Sequence, residues 1–242
     1  LAELVGFPSY YANSPAASVS TTNRKSPEMS YSLRLESLGT LADLPGTKVE
    51  VDKIASILDA GGWEVKSHTG AGALEQNIKE SYKPRLLHIA THGFFQADTT
   101  NGSNPLLRSG LMLTGAGSTL KGEKNETGED GILTAYEAMN LNLDNTDLVV
   151  LSACETGLGE IKNGEGVYGL QRAFKVAGAK SIIMSLWKVS DQATQELMVS
   201  FYRHWLGKLN IGKRAAFLAA QKELKAKYSN PYYWGAFVMV GE

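Results

Sequence analysis

Leu148-Val149-Val150-Leu151-Ser152-Ala153-Cys154-Glu155-Thr156-Gly157 is the stretch on which the fold turns. It is a near-continuous apolar run that ends abruptly in small and polar residues. A strand buried on both faces needs such a run, because side chains on either side of the pleat must be apolar. Two similar runs flank it, at residues 85–90 and 180–187. The segments after the later two runs, about 166–178 and 190–206, carry helical periodicity. A further helix, about 211–227, leads to a last apolar run at 236–240. This β-then-α alternation predicts an α/β fold, a three-layer α/β/α sandwich around a mostly parallel, doubly wound sheet.

Working outward, residues 1–6 read as a first strand. Residues 12–30, rich in Ser, Thr, Asn and Pro, read as an irregular N-terminal segment. Thr47-x-x-Glu50 has the form of a capping box and opens an amphipathic helix closed by Gly61-Gly62. Residues 63–67 read as a strand, 71–82 as a helix and 110–113 as a short strand. From 114 to 131 the chain is full of Gly, Lys, Glu and Asn, a composition that buries little surface, so a mobile loop is expected. Thr134-x-x-Glu137 is a second capping box. No internal repeat interrupts this order, and a single domain over 1–242 is expected.

The 242 residues carry 24 Lys plus Arg and 25 Asp plus Glu, a net charge of −1. That balance lacks the electrostatic drive behind non-specific nucleic-acid binding, so no nucleic-acid partner is expected. Nor is a membrane partner, since no apolar run reaches the length of a span. Opening at Leu1 suggests a piece cut from something longer, and no signal-peptide pattern stands at the start. A single cysteine excludes an internal disulfide and favours a reducing, cytoplasmic setting.

In parallel α/β sheets, ligands and chemistry gather beyond the carboxyl ends of the strands. Two strand ends stand out. Leu86-Leu87-His88-Ile89-Ala90-Thr91-His92-Gly93 ends in a histidine and a glycine, and the 148–157 stretch ends in Cys154. On neighbouring strands, the two would meet at one rim. A thiol needs an adjacent base to become a useful nucleophile near neutral pH, and His92 is the natural supplier. The amides of Gly93 and Cys154 could then stabilise an oxyanion. Taken singly, a free cysteine is more often a small core residue and a histidine more often structural.

Several motifs, in order, are similar to the CHAT domain, of the caspase and separase clan of cysteine proteases. They are His88-Ile-Ala-Thr-His92-Gly93, Leu107-Arg-Ser-Gly-Leu111, Gly131-Ile-Leu-Thr-Ala135 and Leu151-Ser-Ala-Cys154-Glu-Thr-Gly157. Gly164-Glu-Gly-Val-Tyr-Gly-Leu170, Ser185-Leu-Trp187-Lys-Val189 and Tyr232-Tyr-Trp234-Gly-Ala-Phe237 continue the series, and Leu44-Pro-Gly-Thr47 with Glu50 resembles the entry to the first family helix. The resemblance spans roughly residues 40–242. It implies a caspase-like sheet and a cysteine endopeptidase acting on protein substrates, with His92 and Cys154 as the dyad and no metal or organic cofactor. It also implies that Asp191, at the separase-like position, reads a basic P1 residue. Trp187 could touch substrate. Family likeness further suggests a bacterial protein governed by a TPR-type helical-repeat region or partner, in defence or cell-death signalling. If P1 is basic, Lys121 and Lys124 are candidate self-cleavage points.

Weaker signals compete. Gly164-x-Gly166-x-x-Gly169, with Asp191 further on, mimics a dinucleotide fingerprint, but residues 153–163 separate it from the preceding strand. His88 and His92 lack the Glu of a zinc-binding H-E-x-x-H, so no metal site is expected, and His88 reads as a buried strand histidine with a partner. Ser190 or Asp191 could simply cap the following helix. The alternative to an enzyme is a catalytically silent caspase-like scaffold or interaction module.

Overall fold

The computed structural model describes residues 1–11, 41–96, 104–123, 128–153, 160–162, 166–188, 190–207 and 211–241. Cys154 therefore lies outside the described residues, as do residues 12–30, Lys124 and Val189.

Three successive apolar runs become the middle of a sheet. β1 (Ala2–Pro8), β2 (Val65–Gly70), β3 (Leu86–Ala90), β7 (Leu148–Ser152), β10 (Ser181–Ser185) and β11 (Phe237–Gly241) form six strands in the order β11-β10-β7-β3-β1-β2. All neighbours pair in parallel except β10 and β11. The expected α/β sandwich with a mostly parallel sheet is thus what forms, with an antiparallel strand at one edge.

Period-two alternation splits each central strand between two cores. Leu86, Ala90, Leu148 and Val150 face one cluster with Val51, Ile54, Leu58, Leu197, Phe201 and Phe217. Those side chains come from α1 (Pro45–Ala60), α6 (Asp191–Leu206) and α7 (Lys213–Lys227). Leu87, Ile89, Val149 and Leu151 face the other, with Ile78, Ala138 and Phe174. These belong to α2 (Glu75–Lys79), α4 (Ala135–Ala138) and α5 (Leu170–Val176). Each fully buried Leu, Ile or Phe contributes about 1.5–3 kcal/mol, so the two cores hold the helices on opposite faces.

Beyond the carboxyl edge stands a small antiparallel sheet, β4 (His92–Phe95), β5 (Ser109–Met112) and β6 (Ile132–Thr134), in that order. A separate two-stranded ribbon is formed by β8 (Glu160–Lys162) and β9 (Gly166–Tyr168). The second and third glycines of the nucleotide-like motif thus fall on a strand and just before α5, not in a strand-to-helix phosphate turn.

Several local expectations change. Thr47 does not cap α1: its hydroxyl donates to the Leu44 carbonyl at 2.7 Å and accepts the Phe7 N–H at 3.1 Å. Glu50 is drawn into the core instead. Its carboxylate accepts from His88 Nε2 at 2.9 Å, while the Tyr202 hydroxyl lies 3.1 Å from His88 Nδ1. Burial among these groups pushes the Tyr202 phenol well above its ordinary value. Helix α2 is shorter than the expected 71–82. The second capping box is formed, Thr134 Oγ1 accepting from Glu137 N–H at 3.2 Å.

Within the 114–131 segment expected to be mobile, the described part contains helix α3 (Ala116–Leu120), which packs on Tyr10 and Phe94. Gly131 closes the segment with φ 78° and so close to Thr114 O that a Cβ would sit 2.5 Å away, hence only glycine fits. Its N–H donates to the buried Glu75 carboxylate at 3.0 Å. Glu75, Glu129 and Glu137 converge there, and the Lys79 ammonium lies among them at 2.7, 3.0 and 3.0 Å.

Candidate active site

The parallel register brings the two singled-out strand ends together. Ala90 on β3 pairs with Ser152 on β7, and Thr91 N–H donates to the Ser152 carbonyl at 3.2 Å. His92 begins the next strand. Ala153, the last described residue before Cys154, lines the same cavity as His92. That cavity, about 230 Å³, is also walled by Ser152, Ser185, Trp187 and Asp191.

The orientation of His92 is determined by its backbone neighbours. Its Nε2 lies 2.7 Å from the Ala42 carbonyl, which can only accept, so Nε2 carries the proton. Nδ1 is then the nitrogen with the free lone pair. No described residue engages it. The Tyr10 ring packs on the imidazole with centroids 5.3 Å apart. Burial pushes the imidazole below its ordinary value of 6.5; Lys188 adds to this, while the Ala42 carbonyl and the charge of Asp191 oppose it. A base held neutral near pH 7 is what proton abstraction from a thiol requires.

Tyr10 is anchored in turn. Its hydroxyl lies 3.0 Å from Thr91 Oγ1, which donates to the Met112 carbonyl, so the phenol is the donor to Thr91. Burial first, only partly offset by the His92 backbone N–H, pushes the phenol up to about 12. Thr91 thereby ties β3, β5 and Tyr10 into one support beneath His92.

Asp191 is the first residue of α6, and the cap of that helix is Ser190, whose Oγ accepts from Ala193 N–H at 3.2 Å. The Asp191 carboxylate has another partner. Its Oδ2 accepts from Gly46 N–H at 2.6 Å, at the positive end of α1. A Cβ on Gly46 would sit 2.4–2.6 Å from the three carboxylate atoms, so this approach requires glycine. Trp187 is held on the cavity wall by its Nε1–H, which donates to the Tyr232 carbonyl at 3.0 Å. Lys188 stands exposed at the same mouth.

His92, Gly93, Trp187 and Asp191 are therefore gathered at one edge, and Cys154 alone of the chosen residues is not described. The sequence reading missed Tyr10, the Ala42 carbonyl and the supporting role of Gly46. Gly46 lay in a quoted motif, but nothing in that motif says which carboxylate it approaches. A backbone carbonyl leaves no mark in sequence at all. His68 and His204 play other parts: His68 Nε2 meets Glu3 at 2.7 Å and His204 Nε2 meets Glu223 at 2.8 Å, both away from the cavity.

Comparison with known proteins adds a family. The profile described as CHAT domain matches residues 10–242. Mouse Tetratricopeptide repeat protein 28 is 29% identical over 110 residues, 46% of this chain and 4% of that protein. The human protein of that name is 32% identical over 112 residues, again 46% of this chain and 4% of the relative. Among solved structures, the Arg-specific cysteine proteinase gingipain R superimposes with a TM-score of 0.56 at 13% identity, covering 81% of this chain and 41% of its own. A complex of the pro- and mature domains of Porphyromonas gingivalis RgpB gives 0.50 at 14% identity, covering 80% and 42%. At such identities the likeness is one of fold, a caspase-like cysteine-protease fold.

Proposed function

The chain belongs to the CHAT domain family, and from that premise we propose that it is a cysteine endopeptidase cleaving protein substrates through a Cys154–His92 dyad. The observation that carries this reading is the tautomer of His92. With Nε2–H spent on the Ala42 carbonyl, Nδ1 is the base, and His92 lines the cavity that Ala153 also lines. His92 Nδ1 takes the thiol proton as Cys154 Sγ attacks the scissile carbonyl carbon. The tetrahedral oxyanion is met by the amides of Gly93 and Cys154. Collapse breaks the C–N bond, and the imidazolium returns its proton to the leaving amine. Water, deprotonated by the same Nδ1, then hydrolyses the thioester and frees the thiol.

Asp191 gives the cavity a preference for Arg or Lys at P1. Its carboxylate is half-buried on the wall and held rigidly by Gly46 N–H, whereas Lys188 is exposed at the rim. A cationic side chain would pair with Asp191, and a neutral one would leave that charge without a counterion. Trp187 supplies an apolar wall for the aliphatic stem. The relatives' name supports regulation by a tetratricopeptide-repeat region, and the lone cysteine supports a reducing, cytoplasmic setting. Self-cleavage at Lys121 would need local unwinding, because its N–H closes the last turn of α3.

The test is a panel of fluorogenic peptides with Arg, Lys, Asp or Leu at P1, run with wild type and Cys154→Ala. Turnover after Arg or Lys that vanishes in Cys154→Ala is expected. Absence of turnover with every peptide, also after supplying a repeat-domain partner, would replace the enzyme with the scaffold reading.

A further inference from the structure

The carbonyl that fixes the His92 tautomer belongs to a stretch without regular structure. Ala42 is exposed, lies in neither helix nor strand, and precedes the entry to α1. Two anchors hold this stretch. Downstream, the Leu44 carbonyl accepts from the Thr47 N–H at 3.0 Å and from its hydroxyl at 2.7 Å. Upstream, the Leu41 N–H donates to the Tyr11 hydroxyl at 2.9 Å, although the two residues stand 30 positions apart in sequence. Only the backbone dihedrals of Leu41 and Ala42 separate that amide from the Ala42 carbonyl. The Leu41 side chain is itself buried with Tyr10, Phe94 and Met112, which restricts those dihedrals further.

Tyr11 is gripped in turn by α3. A Cβ on Gly117 would sit 2.5–2.8 Å from three carbons of the Tyr11 ring, so the helix lies against that ring as closely as glycine permits. The Lys121 ammonium stands 4.2 Å from the ring centroid, within cation–π range. The backbone is tied down as well. The Ser9 and Tyr10 carbonyls accept from Gly115 N–H at 3.0 Å and Ser118 N–H at 3.2 Å. The place of the Tyr11 hydroxyl is thus set by β1 and α3, independently of Leu41. Tyr11 does not line the cavity, so that hydroxyl is no substrate contact.

We infer that Tyr11 is a positioning residue of the dyad: its hydroxyl holds the Leu41 amide, and thereby keeps the Ala42 carbonyl on Nε2 of His92 and the lone pair on Nδ1. This rests on the proteolytic reading and adds the group that keeps its base in working form. The Ala42 carbonyl acts on His92 only within hydrogen-bond reach. From 2.7 Å, a drift of about 1 Å carries it out of that range. The imidazole is then free to carry its proton on Nδ1 instead, and in that form Nδ1 cannot accept the thiol proton. The ring of Tyr11 packs and the hydroxyl positions, so the two parts of the side chain are separable by substitution.

Tyr11→Phe tests this, because it removes the hydroxyl and keeps the ring. Two readouts separate positioning from support of the fold. With the Arg peptide, kcat should fall about threefold to tenfold while KM stays nearly unchanged, as expected for one neutral hydrogen bond lost outside the cavity. In the Cys154→Ala background at about pH 8, where a group titrating below 6.5 is neutral, imidazole 15N shifts should show His92 protonated at Nε2. Adding Tyr11→Phe should raise the Nδ1–H fraction by a similar factor. An unchanged tautomer fraction, or a kcat equal to that of wild type, would overturn the inference, whatever the melting temperature does. Failure of the proteolytic reading looks different, since wild type would then cleave no peptide at all. The tautomer would still decide Tyr11, retaining its role if the Nδ1–H fraction rises and discarding it if not.

Discussion

Replacing Gly46 by alanine should damage substrate choice more than it damages the fold. The new Cβ would stand 2.4 Å from Asp191 Oδ2, 2.5 Å from Cγ and 2.6 Å from Oδ1. Ordinary contact begins near ~3.5 Å, so the carboxylate must retreat by roughly 1 Å. That breaks the 2.6 Å bond from Gly46 N–H and moves the charge within the cavity. A hydrogen bond to a charged group is worth about 1.5–3 kcal/mol, which is about 10- to 100-fold in rate if the carboxylate must be in place to receive P1. The fold loses less, because alanine is otherwise the better helix former at that position. The assay is kcat/KM with matched peptides carrying Arg or Gln at P1, beside thermal melts of both proteins. The Arg rate should fall at least tenfold, the Gln rate far less, and Asp191→Asn should behave alike. Unchanged Arg-to-Gln preference in a folded Gly46→Ala protein would refute the role of Asp191. An equal fall for both peptides would instead indicate that Ala42, four residues earlier, had dragged His92 out of place.

Three other outcomes follow from the same geometry. In an NMR titration, His92 should show a pKa below 6.5 that moves back toward 6.5 in Tyr10→Ala, where the ring covering it is lost; activity needs neutral His92, so its acid limb should shift upward with it. Burial raises Glu75 to about 7 from 4.5, so folding favours its protonated form, and that stabilisation is complete below about pH 4.5 and fades as pH rises through about 7. Denaturation midpoints should therefore fall between pH 5 and 8, by an amount on the order of 1–3 kcal/mol, and Glu75→Gln should flatten the slope. Tyr202→Phe leaves His88 Nδ1 buried without its partner, and chemical denaturation should register a loss of about 1–3 kcal/mol with no change in P1 preference.

The parallel sheet was legible in the chain because its strands are buried on both sides, which leaves a composition mark at residues 85–90, 148–152 and 180–187. Helices α1, α6 and α7 were legible through their apolar spacing, and the boundaries of β2 and α2 were not, since those short edge elements owe their form to tertiary contacts. The pairing of His92 with the end of β7 could be anticipated from strand ends and a family resemblance. Thr47 and Glu50 misled. The S/T-x-x-E pattern is a local signal, and two longer-range partners, Phe7 N–H and His88, outbid it.

What the sequence determined by itself is the set of layers, since periodicity and burial are written residue by residue. It also named the groups able to do chemistry, because few side chains can act as nucleophile or base. Only the tertiary structure decided how those groups are held: the Ala42 carbonyl selecting the imidazole tautomer, and Gly46 N–H gripping Asp191. Each of these is a backbone group meeting a residue far along the chain. Every residue carries the same amide and carbonyl, so their use is decided by where the packed chain brings them.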